Sequence, residues 1–282
     1  MSRGQAIDYE AEYNNRVLVP EHPAVIAGWA RDAAAYREAA RTRFSTIPYG
    51  PGERRAIDLF APETESGGPI VVFIHGGYWQ GLDRSSFSHM ARGLNAHGLA
   101  VAVPGYELCP TVSMGEILDQ VQAACRRLGR DWHRLVVSGH SAGGHLAACM
   151  LATDWRALDP ALSEDLVPAA YAISGLFELK PLVATSINEP LGLDEPEAER
   201  LSPLAWTPPR GRLLDAVVGA DETSEFQRQS RAIVGQWGQA GVATRFEAIA
   251  GANHFTVIAP LADPDSNMVR RLADLAQGPA SD

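Results

Sequence analysis

The chain has 282 residues, of which 46% are hydrophobic and 21% are charged, and its formal net charge is -10. This size and composition predict one α/β domain with a full core, spanning residues 1–282. The acidic balance argues against a nucleic-acid partner, because the longest basic clusters are pairs such as Arg54-Arg55. No run approaches the ~18 apolar residues of a membrane helix, and residues 1–8 lack the apolar stretch of a signal peptide. We therefore expect a cytoplasmic protein without a membrane partner.

The cysteines and the absent motifs narrow the chemistry further. Cys109, Cys125 and Cys149 lie far apart in or beside apolar runs, which indicates buried free thiols rather than a disulfide framework or a metal site. Neither a P-loop nor an H-E-x-x-H motif occurs, so phosphoryl transfer and zinc hydrolysis lack support. No metal or cofactor is expected, and the sequence leaves a homodimer open.

The N-terminal segment precedes the predicted sheet. Residues 5–22 show no clear periodicity and are predicted to form an extended arm, so that arm and helix together occupy about residues 5–44. Pro23 then opens an amphipathic helical pattern. Its apolar positions recur every three or four residues: Ile26, Trp29, Ala33, Tyr36 and Ala40. We expect Trp29 and Tyr36 to pack this helix down rather than to contact substrate.

Strand and helix patterns alternate along the rest of the chain, which predicts a mostly parallel eight-stranded sheet with helices on both faces. The predicted strands are Phe44–Tyr49, Arg55–Phe60, Ile70–Ile74, Leu99–Val103, Leu135–Ser138, Ala170–Ser174, Leu213–Gly219 and Thr244–Ile249. The predicted helices are 84–98, 113–129, a small-residue helix from Ala142 to Ala152, 223–240 and 264–277. Six prolines interrupt residues 176–210, which favours a small lid over the carboxyl ends of the strands.

The pentapeptide Gly139-His140-Ser141-Ala142-Gly143 is the most informative motif. A serine between two glycines, entered from a strand and left into a helix, is typical of a nucleophile elbow. The glycines leave room for the sharp turn that raises the hydroxyl above the sheet. We therefore predict that Ser141 is a nucleophile, and we expect its neighbour His140 to pack or hydrogen-bond locally.

A serine nucleophile needs a general base and an acid that orients the base. In α/β-hydrolases these follow the serine in the order Asp or Glu, then His. His254 comes late enough in the chain, whereas His145 lies within the elbow helix, so His254 is the predicted base. The strand Leu213–Gly219 is followed by Asp221 and Glu222. We prefer Asp221 as the acid because it is shorter, and expect Glu222 to cap the following helix.

The strand Ile70–Ile74 ends in His75-Gly76-Gly77-Tyr78-Trp79. Two glycines at this point are compatible with an oxyanion hole and equally with an ordinary glycine turn. We expect His75 to anchor the loop through hydrogen bonds.

Taken together, four segments resemble the kynurenine formamidase (arylformamidase) branch of the α/β-hydrolases, which adjoins the hormone-sensitive-lipase-like esterases. They are His75–Trp79, Gly139–Leu146, Asp221 with Glu225–Ser230, and Asn253-His254-Phe255. The resemblance implies an α/β-hydrolase fold with backbone N–H groups of Gly77, Tyr78 and Ala142 as oxyanion donors. We expect Tyr78, Trp79 and Phe255 to bound the substrate pocket. Ile187 should enter it from the lid, because loops at the carboxyl ends of the strands are where α/β sheets bind ligands.

The expected activity is hydrolysis of a small acyl group from a carboxylic ester or an N-formyl arylamine, through Ser141, His254 and Asp221. A dedicated kynurenine formamidase is the narrower alternative. A hydrolase fold retained as a ligand receptor is the alternative of another class, and it would be indicated by a missing triad member. We expect compact aliphatic groups to be favoured beside the branched side chain of Ile187.

Overall fold

One eight-stranded sheet sets the architecture in a computed structural model that describes residues 6–64 and 68–278. The strands are β1 Phe44–Pro48, β2 Ala56–Phe60, β3 Ile70–Ile74, β4 Ala100–Pro104, β5 Leu135–His140, β6 Ala169–Ile173, β7 Leu213–Gly219 and β8 Ala243–Ile249. Their order is β1-β2-β4-β3-β5-β6-β7-β8. Strand β2 runs antiparallel to both neighbours, and the pairs from β4 to β8 are parallel. The predicted fold class is confirmed.

Helices cover both faces of this sheet. The α-helices are α1 Tyr9–Tyr13, α2 Asn15–Leu18, α3 His22–Ala39, α4 Arg92–Ala96, α5 Met114–Leu128, α6 Ala142–Ala152, α7 Trp155–Leu158, α8 Asn188–Leu191, α9 Glu195–Arg200, α10 Ser224–Gln239 and α11 Asn267–Gln277. Short 3-10 turns lie at Arg84–Ser86, Ser88–Ala91, Lys180–Ala184, Pro203–Ala205 and Ala259–Ala262. No helix in the described ranges is long and apolar enough to cross a membrane.

Strand β3 shows how the sheet divides the core. Ile70, Val72 and Ile74 face the apolar cluster that includes α5, α6 and α10, whereas Val71 and Phe73 face the cluster that includes α3, α4 and α11. Every residue of β3 is buried, as expected for a central parallel strand that is covered on both sides. Cys109, Cys125 and Cys149 are free and buried in this interior, as predicted.

Two predicted elements differ from the structure. The N-terminal arm is helical rather than extended, because Asp8 caps α1 by accepting a hydrogen bond from the Ala11 N–H. The predicted helix 84–98 is instead two 3-10 turns followed by α4. The predicted end at Gly98 is correct, because Gly98 follows α4 with φ 76°, a left-handed conformation that ends helices.

The predicted lid consists of short pieces that lie against the main body. The His145 imidazole on α6 donates a hydrogen bond to the Leu201 carbonyl, and the side chain of Gln229 on α10 accepts from the N–H groups of Phe177 and Glu178. These contacts hold residues 176–210 at the end of the sheet where Ser141 lies. Residues 1–5, 65–67 and 279–282, which belong to the predicted 1–282 domain, lie outside the described residues.

Candidate active site

Ser141 forms the turn between β5 and α6. Its backbone lies at φ 57° and ψ -117°, a conformation that a side chain makes costly. The Ser141 N–H donates to the Ile173 carbonyl on β6 at 2.8 Å, which holds the turn against the sheet. A Cβ atom at Gly139 would lie 2.1 Å from the Gly143 oxygen, and one at Gly143 would lie 2.0 Å from the Ile74 oxygen. Both glycines are therefore required by the close approach of backbone to backbone.

The structure brings His254 and Ser141 together across 113 residues of sequence. His254 lies on the loop after β8, and its Nε2 is 3.0 Å from Ser141 Oγ. Its Nδ1 lies 2.6 Å from Glu222 Oε2. Because a carboxylate only accepts, Nδ1 carries the proton and Nε2 presents a lone pair to the serine hydroxyl.

The carboxylate that contacts His254 is Glu222, so the prediction of Asp221 is wrong. Strand β7 ends at Gly219, and the Glu222 N–H donates back to the Gly219 carbonyl at 3.1 Å. This tight turn directs Glu222 inward, where it is 8% exposed, whereas Asp221 is exposed. Glu222 is not a helix cap either, because α10 begins after Thr223.

Glu222 is held from its far side by two further donors. Its Oε1 accepts from the Gly219 N–H at 2.7 Å and from the Ser174 hydroxyl at 2.5 Å. Ser174 is fully buried at the end of β6 and has φ 50°. Hydrogen bonds to both oxygens fix the orientation of the carboxylate.

The imidazole of His254 also packs against two rings. The Phe226 centroid on α10 lies 4.6 Å from it, and the His140 centroid lies 4.8 Å from it. His140 Nε2 donates to the His254 carbonyl at 2.8 Å, as the predicted local role requires. Burial, together with the neighbouring His254, lowers the pKa of His140 well below its ordinary value. A neutral His140 therefore holds the His254 backbone without adding charge beside the imidazole.

The loop after β3 lies beside the serine, since a Cβ atom at Gly76 would lie 3.0 Å from the Ser141 Cβ. Gly77, Tyr78 and Trp79 all have positive φ, at 114°, 52° and 56°. His75 anchors the loop as expected: its Nδ1 donates to the Gly76 carbonyl at 2.8 Å, and its own carbonyl accepts from the Tyr106 hydroxyl at 2.8 Å. Positive φ at three successive residues, two of which carry side chains, is the kind of backbone strain that clusters at functional sites.

A narrow cavity of about 40 Å³ opens onto Ser141 and His254. Its walls are Asn15, Arg16, Ile26, Trp29, Gly77, Tyr78, Leu82, His140 and Phe255. Trp29 thus packs against the core and also lines the cavity, although sequence reasoning expected only packing. Tyr78 and Phe255 lie where they were predicted.

Two other predicted pocket residues lie elsewhere. Trp79 is fully buried and meets the His145 ring edge-on at 5.1 Å, so it supports the loop from behind rather than lining the cavity. Ile187 lines a separate, adjoining hollow that shares Tyr78 with the cavity. The lid therefore bounds the second space and not the one at the serine.

Sequence reasoning missed the contribution of the N-terminal arm. Asn15 and Arg16 line the cavity. They lie there because α1 is held against α10 by the Tyr13 hydroxyl, which donates a hydrogen bond to Glu225 Oε2 at 2.8 Å. The Tyr78 hydroxyl donates to the Tyr13 carbonyl at 2.6 Å. The aromatic and amide residues of the N-terminal arm, which otherwise shows no pattern, were the sequence signal that could have indicated this contribution.

The parallel sheet, the serine elbow after β5 and the histidine loop after β8 together define an α/β-hydrolase. The BD-FAE family model matches residues 57–170. An esterase from Pyrobaculum calidifontis superposes with a TM-score of 0.69 at 18% identity, covering 90% of this chain and 92% of that chain. At that identity the likeness concerns the fold alone.

More similar relatives identify the family. The kynurenine formamidase of Danio rerio is 31% identical over 235 residues, which cover 80% of this chain and 79% of the relative. That of Salmo salar is 32% identical over 236 residues, with the same shares covered. A provisionally assigned thioesterase from Silicibacter sp. TM1040 is 35% identical with a TM-score of 0.82, covering 95% of this chain and 100% of that chain. The chain belongs to the kynurenine formamidase family.

Proposed function

We propose that this protein is a serine hydrolase that removes a small acyl group from a carboxylic ester or an N-formyl arylamine. The observation that carries the proposal is the continuous hydrogen-bonded chain from Ser141 Oγ through His254 to Glu222. Membership of a family of hydrolases supports it. A ligand receptor would have no use for such a chain, so the non-catalytic alternative is disfavoured.

In the first half-reaction, Ser141 Oγ attacks the carbonyl carbon while His254 Nε2 takes the hydroxyl proton. Glu222 stabilises the imidazolium that forms and keeps Nδ1 protonated. The tetrahedral oxyanion would be held by the N–H groups of Gly77, Tyr78 and Ala142. Gly77 and Tyr78 line the cavity at Ser141, and Ala142 is the first residue of α6, whose leading N–H groups have no partner within the helix.

The first half-reaction ends when the bond to the leaving group breaks, His254 gives its proton to the departing alcohol or arylamine, and the acyl group remains on Ser141. In the second half, water attacks the acyl carbon while His254 removes its proton. The second tetrahedral intermediate then collapses as His254 returns the proton to Ser141 Oγ, which releases the carboxylic acid and restores the serine hydroxyl. These steps use only Ser141, His254, Glu222, the backbone N–H donors and water.

The size of the cavity supports a small acyl group. A volume of about 40 Å³ accommodates a few water-sized groups at most. Formyl and acetyl groups fit such a space.

Turnover of N-formylkynurenine and of p-nitrophenyl acetate by wild-type protein and Ser141→Ala tests the proposal. We expect the wild type to hydrolyse at least one of the two, and the variant to lose at least a thousandfold in kcat. A folded Ser141→Ala protein that retains more than a tenth of the rate would overturn the proposal. The same assay tests the narrower candidate, a dedicated kynurenine formamidase. The similarity to kynurenine formamidases over most of both chains favours this candidate. Such an enzyme would have a higher kcat/KM for the formamide than for the ester.

A further inference from the structure

A second hollow of about 200 Å³ adjoins the catalytic cavity. The two spaces share Asn15, Arg16 and Tyr78. The other walls of the hollow are Asn14, Gln80, Ser186 and Ile187. Amide, hydroxyl and guanidinium groups thus dominate this space, in contrast to the aromatic and aliphatic walls around Ser141.

Arg16 is the one charged side chain on the described walls of the hollow. Its guanidinium has no Asp or Glu carboxylate within ion-pair distance in the ranges 6–64 and 68–278. The nearby carboxylate of Glu10 is engaged by the Ser186 N–H and hydroxyl and by Asn14, at 2.8, 2.8 and 2.9 Å. The planar donor fork of Arg16 is therefore available to an anion from outside the chain.

Asn15 adds a polar side chain to the wall that the two spaces share. The residue is only 5% exposed. Its amide nitrogen makes one long contact, 3.4 Å to the Tyr78 hydroxyl. The amide can therefore bind a polar group of a molecule that occupies the two spaces.

We infer that this hollow is a leaving-group subsite, in which Arg16 binds a carboxylate carried by the substrate and Asn15 contacts a neighbouring polar group. This inference rests on the proposed function. A chain of net charge -10 repels anions at long range, so a local cation is needed to admit one to the site. Arg16 lies on the wall that the two spaces share. One substrate molecule can therefore place its carboxylate at Arg16 and its acyl group at Ser141.

Two matched esters test the inference: 4-acetoxyphenylacetate, which is anionic, and 4-acetoxyphenylacetamide, which is neutral. Both carry the same acyl group and similar phenol leaving groups. The assay compares wild type with Arg16→Gln, and with Arg130→Gln as control. Arg130 is an exposed arginine outside both spaces, so its replacement changes the net charge equally.

We expect Arg16→Gln to lower kcat/KM for the anionic ester at least tenfold more than kcat/KM for the neutral ester. Arg130→Gln should change neither by more than twofold. The wild-type preference should weaken as salt is raised, because the guanidinium is solvent-exposed. An unchanged ratio of the two esters in Arg16→Gln would overturn the inference.

A binding measurement separates this inference from the proposed function. Calorimetry would give the Kd of 4-hydroxyphenylacetate, the anionic product, for wild type and Arg16→Gln. We expect at least fivefold weaker binding to the variant, and equal binding would again overturn the subsite. If wild-type protein hydrolyses neither these esters nor N-formylkynurenine, the proposed function fails, while the binding result still decides whether Arg16 holds a carboxylate.

Discussion

Glu222 shows how much a single residue position decides in this site. The sequence predicted an acidic pair after β7, and the pair is present. The choice between its members depends on the direction of a three-residue turn, in which the Asp221 N–H donates to the Ala252 carbonyl and the Glu222 N–H donates to the Gly219 carbonyl. That direction is set by a contact with the histidine loop, which lies far along the chain, so side-chain length alone predicted the wrong carboxylate.

Replacing Glu222 by Gln should cost far more activity than replacing Asp221 by Asn. The amide would remove the charge that stabilises the imidazolium and would favour the wrong tautomer of His254. We expect kcat to fall roughly a hundredfold to ten-thousandfold for Glu222→Gln and less than threefold for the exposed Asp221. Steady-state kinetics on the two variants measures this, and equal losses would contradict the assignment.

Ser174 is expected to act as a positioning residue through Glu222. Its hydroxyl donates to Glu222 Oε1, and a hydrogen bond to a charged group contributes about 1.5–3 kcal/mol. Ser174→Ala should therefore lower kcat about tenfold or more and leave KM unchanged. Ser138→Ala is the matched control, because the Ser138 hydroxyl is buried without a partner in the described part of the chain. A rise in KM, or equal effects of the two substitutions, would show that Ser174 is merely structural.

The elbow is the element whose sterics the structure defines most sharply. A Cβ at Gly143 would meet the Ile74 oxygen at 2.0 Å and the Ile74 carbon at 2.7 Å. These are backbone atoms of a central strand, which cannot move aside cheaply. We expect Gly143→Ala to lower the free energy of unfolding by more than about 2 kcal/mol and to impair activity.

The control for this element is Gly235→Ala in α10, where a Cβ would meet nothing within 4 Å. Alanine should there raise the free energy of unfolding by about 0.5–1 kcal/mol, since it favours the helix. Urea unfolding of both variants measures the difference. Similar stability changes at the two positions would contradict the steric account of the elbow.

Among the other elements, those with strong local patterns could be predicted and those held by distant contacts could not. The apolar run of β3 and the Gly-Ser-Gly turn after β5 are encoded by adjacent residues. The arm before α3 is not, because α1 is held by Tyr13 bonding to Glu225, 212 residues away. The stretch 84–98 has a helical composition, yet Phe87 and Met90 are buried in successive tight turns.

At the scale of the whole molecule, buried histidines make folding sensitive to acid. Burial lowers the pKa of His75 and of His145 to about 4, whereas an unfolded histidine titrates near ~6.5. Below pH 6.5 the unfolded chain binds more protons than the folded one, so stability is complete above that pH and is lost as pH falls toward 4. Each residue should account for about 2 kcal/mol of the loss between pH 7.5 and 5.

This pH dependence can be measured by urea unfolding of the wild type and His145→Gln at pH 7.5 and 5. Glutamine retains a donor for the Leu201 carbonyl that His145 bonds but does not titrate. The loss of stability on acidification should therefore shrink by about 2 kcal/mol in the variant. His133→Gln, at an exposed position, should leave the loss unchanged. The same pH dependence in all three proteins would contradict the assignment of neutral, buried histidines.

Ser141 is proposed as a nucleophile that His254 activates. Mass spectrometry of the folded protein after reaction with a fluorophosphonate, which phosphonylates activated serines, tests this directly. We expect a single adduct on the peptide that contains Ser141, none on Ser141→Ala, and slower labelling of Glu222→Gln. An unlabelled wild-type protein, or an adduct on a different residue, would contradict it.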